Sequence, residues 1–241
     1  MGYVNRTPIT AIKASHLKNS VQDGKITPGT AATSMTGYGI LTGASLATDA
    51  GTTTTADSFG LYFKQDSSAL SGNNVGNLSA DARASLNIGF DVAIAFRLSR
   101  ATNIRACIGL GAGSSLGQYL DSDTLAAAFI GIQFSTPRGD TTFRFITSTG
   151  AAQTTVDSGV TVAAGASDVY VLRLETLSSS SVRLTIYDEN GTQLATTTMS
   201  TTLPGASSLL RLAVMHEPQN TTPTSQYTYF MSLTGKGIKL P

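Results

Sequence analysis

The chain carries little with which to do chemistry. Its 241 residues include one cysteine, no tryptophan and two histidines, and only 13% are charged. A lone cysteine excludes an internal disulfide. Cys107 also sits in the apolar run Ile104 to Leu110, which marks it as a buried small hydrophobe rather than a nucleophile. With His16 and His216 far apart in the chain, a zinc site of ordinary spacing is excluded. No apolar run approaches the roughly 18 residues of a membrane span. The start, Met1 to Pro8, has no hydrophobic signal region, so neither secretion nor membrane insertion is expected. A formal net charge of +1 leaves no concentrated basic surface, which argues against nucleic acid as a partner.

What the chain does have is small hydroxylated residues and turns. Thr (35), Ser (27) and Gly (24) make up more than a third of it, types that favour strands and loops over helices. From Ser58 onward, strand signals recur about every ten residues. Expected strands are Phe59–Lys64, Asp91–Arg100, Ile104–Leu110, Ala127–Ser135, Thr141–Thr147, Gln153–Asp157, Val169–Thr176, Val182–Asp188, Gln193–Met199, Leu209–His216 and Tyr227–Lys239. Tyr170, Leu172 and Leu174, then Val182, Leu184 and Ile186, alternate with polar positions, so each strand has one apolar face. Asn190-Gly191 supplies the positive backbone angles of a tight hairpin turn. Short helices are expected at Ala80–Leu86 and Ser122–Ala128. The whole predicts an all-β, two-sheet antiparallel jelly-roll sandwich over residues 57–241.

Residues 1–56 read differently. Pro8, Pro28, scattered glycines and the run Thr52 to Thr55 give an extended N-terminal arm, with at most a short helix at Thr10–Asn19 and a short strand at Gly37–Leu41. Residues 1–47 carry Arg6, Lys13, Lys18 and Lys25 against Asp23 alone, a basic lead that reads equally as a segment for an acidic protein surface or as a solvated tail with a few lysines.

The order of features from Phe143 to Leu240 resembles the concanavalin-like or laminin-G-like jelly-roll domains of tailed-bacteriophage virion proteins. The residues that carry the likeness are Thr141–Gly150, Thr154–Val160, Tyr170–Glu175, Val182–Gly191, Leu203-Pro204 and the closing Gly237-Ile-Lys-Leu-Pro241; residues 59–134 fit more loosely. The resemblance implies a structural protein of the virion, a head decoration or cement protein held by its arm and commonly homotrimeric. Its partners would be other copies of itself and capsid or tail subunits. The alternative it implies is a tail-fibre subunit that recognises host carbohydrate through the loops Gly111–Asp123 and Pro218–Gln226.

Few groups suited to catalysis are present, and neither an enzyme activity nor a cofactor is expected. His216 follows an apolar strand and no Gly-x-Ser-x-Gly elbow precedes it, so a strand-end role is the expectation. The three glutamates, Glu175, Glu189 and Glu217, do not form the Glu-x-Asp-x-Glu strand of concanavalin-like glycosidases. Asp121 and Asp123 lack the further oxygen ligands of a calcium loop and leave calcium binding open, while Asp188 to Gly191 reads as a turn. Arg97, Arg144, Arg173, Arg183 and Arg211 all occupy the polar register of expected strands. Each either pairs with neighbours or helps line one sheet face for an acidic partner or a glycan, with Tyr187 offering a flat surface for a sugar.

Overall fold

The computed structural model describes residues 45–46, 52–57, 60–66, 72, 74–78, 84–165, 168–222 and 224–234. Strands dominate, as Thr-rich alternating segments require. They are β1 (Ser45–Leu46), β2 (Thr52–Asp57), β3 (Gly60–Asp66), β4 (Val75–Leu78), β5 (Asp91–Leu98), β6 (Ile104–Gly111) and β7 (Ala128–Ser135). After them come β8 (Thr142–Thr149), β9 (Gln153–Thr161), β10 (Tyr170–Ser178), β11 (Ser181–Tyr187), β12 (Gln193–Met199), β13 (Arg211–Pro218) and β14 (Ser225–Thr234). They pair antiparallel into two sheets, sheet A in the order β1-β4-β13-β6-β7-β8-β9 and sheet B in the order β12-β11-β10-β5-β14-β3-β2. This is the two-sheet antiparallel jelly-roll sandwich that the alternation predicts.

The inner faces follow the period of two. Val92, Ile94, Phe96 and Leu98 of β5 and Tyr170, Leu172 and Leu174 of β10 meet Ile104, Ile108, Ile130, Ile132, Phe143, Phe145, Leu212 and Val214 of sheet A in one continuous core. At its centre Phe143 stands edge-on to Tyr170 (5.0 Å) and to Phe96 (5.7 Å), so aromatic rings bridge the sheets.

Several expectations are corrected. Ala84 makes a bridge to Leu210 and residues 86–88 form a turn, so the described part of the expected helix Ala80–Leu86 is not helical. Ser122–Ala128 is a series of bends running into β7. The one α-helix among the described residues is α1 (Gly117–Leu120), formed because Tyr119 and Leu120 turn inward onto sheet A. The hairpin at Asn190-Gly191 is present, but only Gly191 has positive φ (82°). Asp188 takes the other role: its Oδ1 accepts from the Asn190 and Thr192 amides at 2.9 and 2.7 Å, which holds the turn by a side chain. Of residues 1–56, Ser45–Leu46 pairs with β4 and Thr52–Ala56 with β3, so the sheets reach back into that segment. Thr10–Asn19 and Gly37–Leu41 lie outside the described residues.

A second cluster lies on the outer face of sheet A. Residues 112–127 fold over it, and Leu116, Tyr119, Leu120 and Leu125 pack on Cys107, Phe129, Ile146, Ala213 and Met215. The run Ile104–Gly111 is therefore buried on both faces. Close approach of β6 and β7 beneath this flap needs glycine. Gly109 and Gly131 are directly paired, and a Cβ on either would collide with the carbonyl of the facing strand.

Candidate functional site

A groove of about 410 Å³ runs over the outer face of sheet B. Its lining comes from three neighbouring strands: alternate residues Arg173, Glu175 and Leu177 of β10 and Arg183, Thr185 and Tyr187 of β11, and Gln193 with Thr196 to Thr198 of β12. The register sets them in rows. Glu175 stands beside Arg183 and Arg183 beside Thr198, while Arg173 stands beside Thr185 and Thr185 beside Thr196. A row of this kind is what period-two strands produce when their other faces are sunk in a core.

The charges in the groove are matched. Arg173 forks onto Asp91 of β5, with Nε donating at 2.9 Å and Nη2 at 2.6 Å. That bond to the Asp91 carboxylate raises the guanidinium pKa further, against the opposing pull of burial, so the group stays charged at any working pH. Glu175 stands 4.0 Å from Arg173 and 3.6 Å from Arg183. Two cations thus face two carboxylates, with Arg183 half-exposed to solvent beside the hydroxyls and amide of the remaining lining. Thr185 and Thr196 link their hydroxyls at 3.0 Å. Tyr187 and Leu177 supply apolar surface at the two ends. Such a surface offers hydrogen bonds in both senses and a ring to stack on, with no net charge to select ions.

A second polar cluster lies across the sandwich, under the sheet-A flap. Arg105 donates from Nε to Asp123 (3.1 Å), and from Nη1 to Glu217 (3.0 Å) and to the Leu120 carbonyl. Ser135 Oγ also donates to Asp123, and Gln219 donates to Glu217 at 2.6 Å. Burial pushes the Glu217 carboxyl up, and the Arg105 charge pulls it back only in part. Next to it, the wholly buried carboxylate of Asp140 takes Arg138 (2.5 Å) and Arg144 (3.2 Å). Cys107 is fully buried, and burial pushes its thiol up to about 12. At that value it is neither nucleophile nor metal ligand.

The structure separates the residues that the sequence put together. Of the five arginines, Arg97, Arg173 and Arg183 share the outer face of sheet B, while Arg144 and Arg211 lie on the outer face of sheet A. They do not line one surface. Glu175 is in the groove, Glu217 is under the flap of the other sheet, and Glu189 is in the β11–β12 turn. His216 is fully buried, its Nε2 donating to the Thr224 carbonyl at 3.3 Å. Asp123 is engaged by Arg105, and Asp121 accepts from Asn74 at 2.9 Å. Among the described residues no group of three His, Cys, Asp or Glu is placed to hold a metal. The loop Gly111–Asp123, expected at a sugar site, packs Leu116, Tyr119 and Leu120 onto the outer face of sheet A and leaves Ser114, Ser115 and Ser122 exposed. The groove residues that the sequence reading missed are Leu177, Gln193 and Thr196 to Thr198, together with Asp91, which holds Arg173 from the neighbouring strand. The Thr-Thr-Thr run of β12 was visible, but its position beside Arg183 and Tyr187 depends on strand order.

The model of the SO2946-like C-terminal domain family matches residues 68–228. No curated protein matches the sequence. Among solved structures, the protein of unknown function SO2946 from Shewanella oneidensis MR-1 is similar over 100% of both chains, with 13% identity and a TM-score of 0.58. The seed lectin of Lotus tetragonolobus is similar over 82% of this chain and 94% of its own, at 12% identity and a TM-score of 0.53. An endo-β-1,4-glucuronan lyase from the fungus Trichoderma reesei covers 81% of this chain and 91% of its own, at 12% identity and a TM-score of 0.50. At these identities the likeness is one of fold.

Proposed function

This chain belongs to the SO2946-like C-terminal domain family, and on that scaffold we propose a carbohydrate-binding module without catalytic activity whose ligand is a neutral glycan laid in the groove of sheet B. The observation that carries the reading is the groove itself: an open sheet face with its charges matched internally, a ladder of threonine hydroxyls and an aromatic side chain at one end. A sugar presents hydroxyls around an apolar ring face, and these are the two surfaces the groove offers. The seed lectin named above has the same architecture, which makes a sugar ligand compatible with the scaffold.

The absence of catalysis is argued from placement. Glycoside hydrolysis needs two carboxyl groups about 5–9.5 Å apart across a cleft. Glu175 and Glu217 are on the outer faces of different sheets, on opposite sides of a core roughly 10 Å thick. The two carboxylates that do share a face, Glu175 and its strand neighbour Asp91, stand side by side with Arg173 between them rather than facing each other across a cleft. In the virion setting implied by the sequence resemblance, such a groove suits a fibre subunit that meets host-surface sugar. The head-decoration alternative depends on the lead segment, of which residues 1–44 lie outside the described residues.

The test is a glycan array probed with the full chain, followed by calorimetric titration of the best neutral ligand. Tyr187→Ala is expected to weaken binding about 3- to 10-fold, the worth of one aromatic contact. An array with no neutral glycan bound, or a Tyr187→Ala variant that binds as the parent does, overturns the proposal. Release of reducing ends or unsaturated products from a bound polysaccharide overturns its non-catalytic part.

A further inference from the structure

The groove is bounded on one side by the free edge of sheet B, and that edge is unguarded. β12 is the terminal strand of its sheet, and its residues, Gln-Leu-Ala-Thr-Thr-Thr-Met, include no charge, no proline and no glycine. Strands at sheet edges ordinarily carry a lysine, a proline, a bulge or an inward charge that prevents pairing with another chain. The edge of sheet A shows what such a guard looks like. β9 has Asp157, bonded to Thr142 at 2.6 Å, a glycine at φ 70° (Gly159), and a break of register between Thr142 and Arg144. β12 has none of these along its length; its one irregularity sits at the end, between Ile186 and Tyr187 of its partner.

Three further observations bear on what would cover it. In an antiparallel strand, alternate residues direct their N–H and C=O groups away from the paired neighbour. Among the described residues, no backbone group takes those of Gln193–Met199 on the side away from β11. Leu194 of β12 is 42% exposed, and Val156 of the adjacent β9 is 37% exposed, so two large aliphatic side chains lie open along this flank. The loop after β12 is tied to β9 by Thr154–Thr201 and Thr202–Thr154 hydroxyl bonds at 3.1 and 2.9 Å, so the flank is held in place.

We propose that β12 pairs antiparallel with β12 of a second copy about a twofold axis through Thr196, joining two B sheets into one. A second copy is the occupant these features favour. An uncharged strand meets its own image with no like-charge repulsion, and a twofold axis makes the antiparallel pairing self-complementary. Full overlap of seven residues puts the axis at the central one, Thr196, and brings Leu194 opposite Thr198 of the partner, whose methyl group covers it. Thr196 and Thr198 line the groove, so the dyad also sets two grooves end to end as one longer cleft. The pairing stands whatever fills the groove; the longer cleft as a glycan site rests on the proposed function.

Sedimentation of the full chain without sugar, over a range of concentrations, tests the pairing directly. A strand-to-strand contact is smaller than the ~1,200–2,000 Å² of stable interfaces, so a mass that doubles as concentration rises is expected. Thr196→Lys and Thr196→Glu each place like charges across the axis and are expected to remain single at every concentration. An equimolar mixture of the two is expected to recover the doubled mass as a mixed pair. Leu194→Lys, off the axis, is the second variant and is expected to lose the doubled mass as well. A parent that stays single throughout, a threefold mass, charged variants that associate as the parent does, or a mixture that stays single each overturns the pairing. If pairing fails while glycan is still bound, the groove reading survives alone.

Discussion

Glu217 shows how one residue couples burial to pH. Its carboxyl is nearly enclosed, held by Arg105 and Gln219, and burial raises its pKa above the ordinary glutamate value. The sign follows from proton counting. Between the unfolded value, about 4.3, and the raised folded value, the native state binds more protons than the unfolded chain, so stability falls as pH rises through that window. Glu217→Gln removes the titration. Urea titrations from pH 4 to 7 are expected to show the parent losing part of its stability on the way up, while the variant lacks that component. A parent and variant with identical slopes would show that Arg105 fully offsets burial. The carboxylate was plain in the sequence, but its burial was not, since Glu-Pro after an apolar strand reads as the start of a loop. The arginine that encloses it is more than a hundred residues earlier in the chain.

At the scale of elements, the flap of residues 112–127 decides whether the outer face of sheet A is dry. Tyr119 is its anchor, wholly buried, with its hydroxyl accepting from the Gly113 amide and its ring 5.6 Å from that of Phe129. Removing a buried aromatic costs about 3–5 kcal/mol, so Tyr119→Ala is expected to lower the urea midpoint markedly. Cys107 lies beneath the flap and donates to the Tyr119 carbonyl at 3.4 Å, which makes it a reporter. Its alkylation is expected to be slow in the parent and many-fold faster in Tyr119→Ala under native conditions. Equal rates would mean that the flap does not control access. The flap was not legible because its helix is four residues long and has no periodic apolar face. A signal was present nonetheless: Ile104–Gly111 is apolar without alternation, which is how a strand buried on both faces reads.

For the whole molecule, the joint between the sheets is aromatic. Phe143 of sheet A meets Phe96 and Tyr170 of sheet B as well as Phe134 beside it, at ring separations from 5.0 to 6.1 Å. Phe143→Ala is expected to destabilise by about 3–5 kcal/mol, with both sheets lost together in one transition by circular dichroism and by Cys107 exposure. Separate transitions would mean that the sheets are held independently. The same joint sets the function at a distance, because it fixes the inner faces and thereby commits every alternate residue of β10, β11 and β12 to the groove.

The fold class and most strand positions follow from local pattern alone. Alternation at Val92 to Leu98, Tyr170 to Leu174 and Val182 to Ile186 is a local property, set by a side-chain period of two. The turn at Gly191 was local as well, although Asp188 shares its work. Which strands become neighbours is set by long-range pairing, and the composition of the groove depends on it. Arg97, Arg144, Arg173, Arg183 and Arg211 are equivalent in register and indistinguishable in sequence, yet sheet order sends three to one side of the sandwich and two to the other. The bond between Arg173 and Asp91 spans 82 positions, and the one between Arg105 and Glu217 spans 112. Pattern in a sequence reports which way a side chain points; what it meets there depends on pairings that close over such distances, and these are settled by packing the two faces against each other.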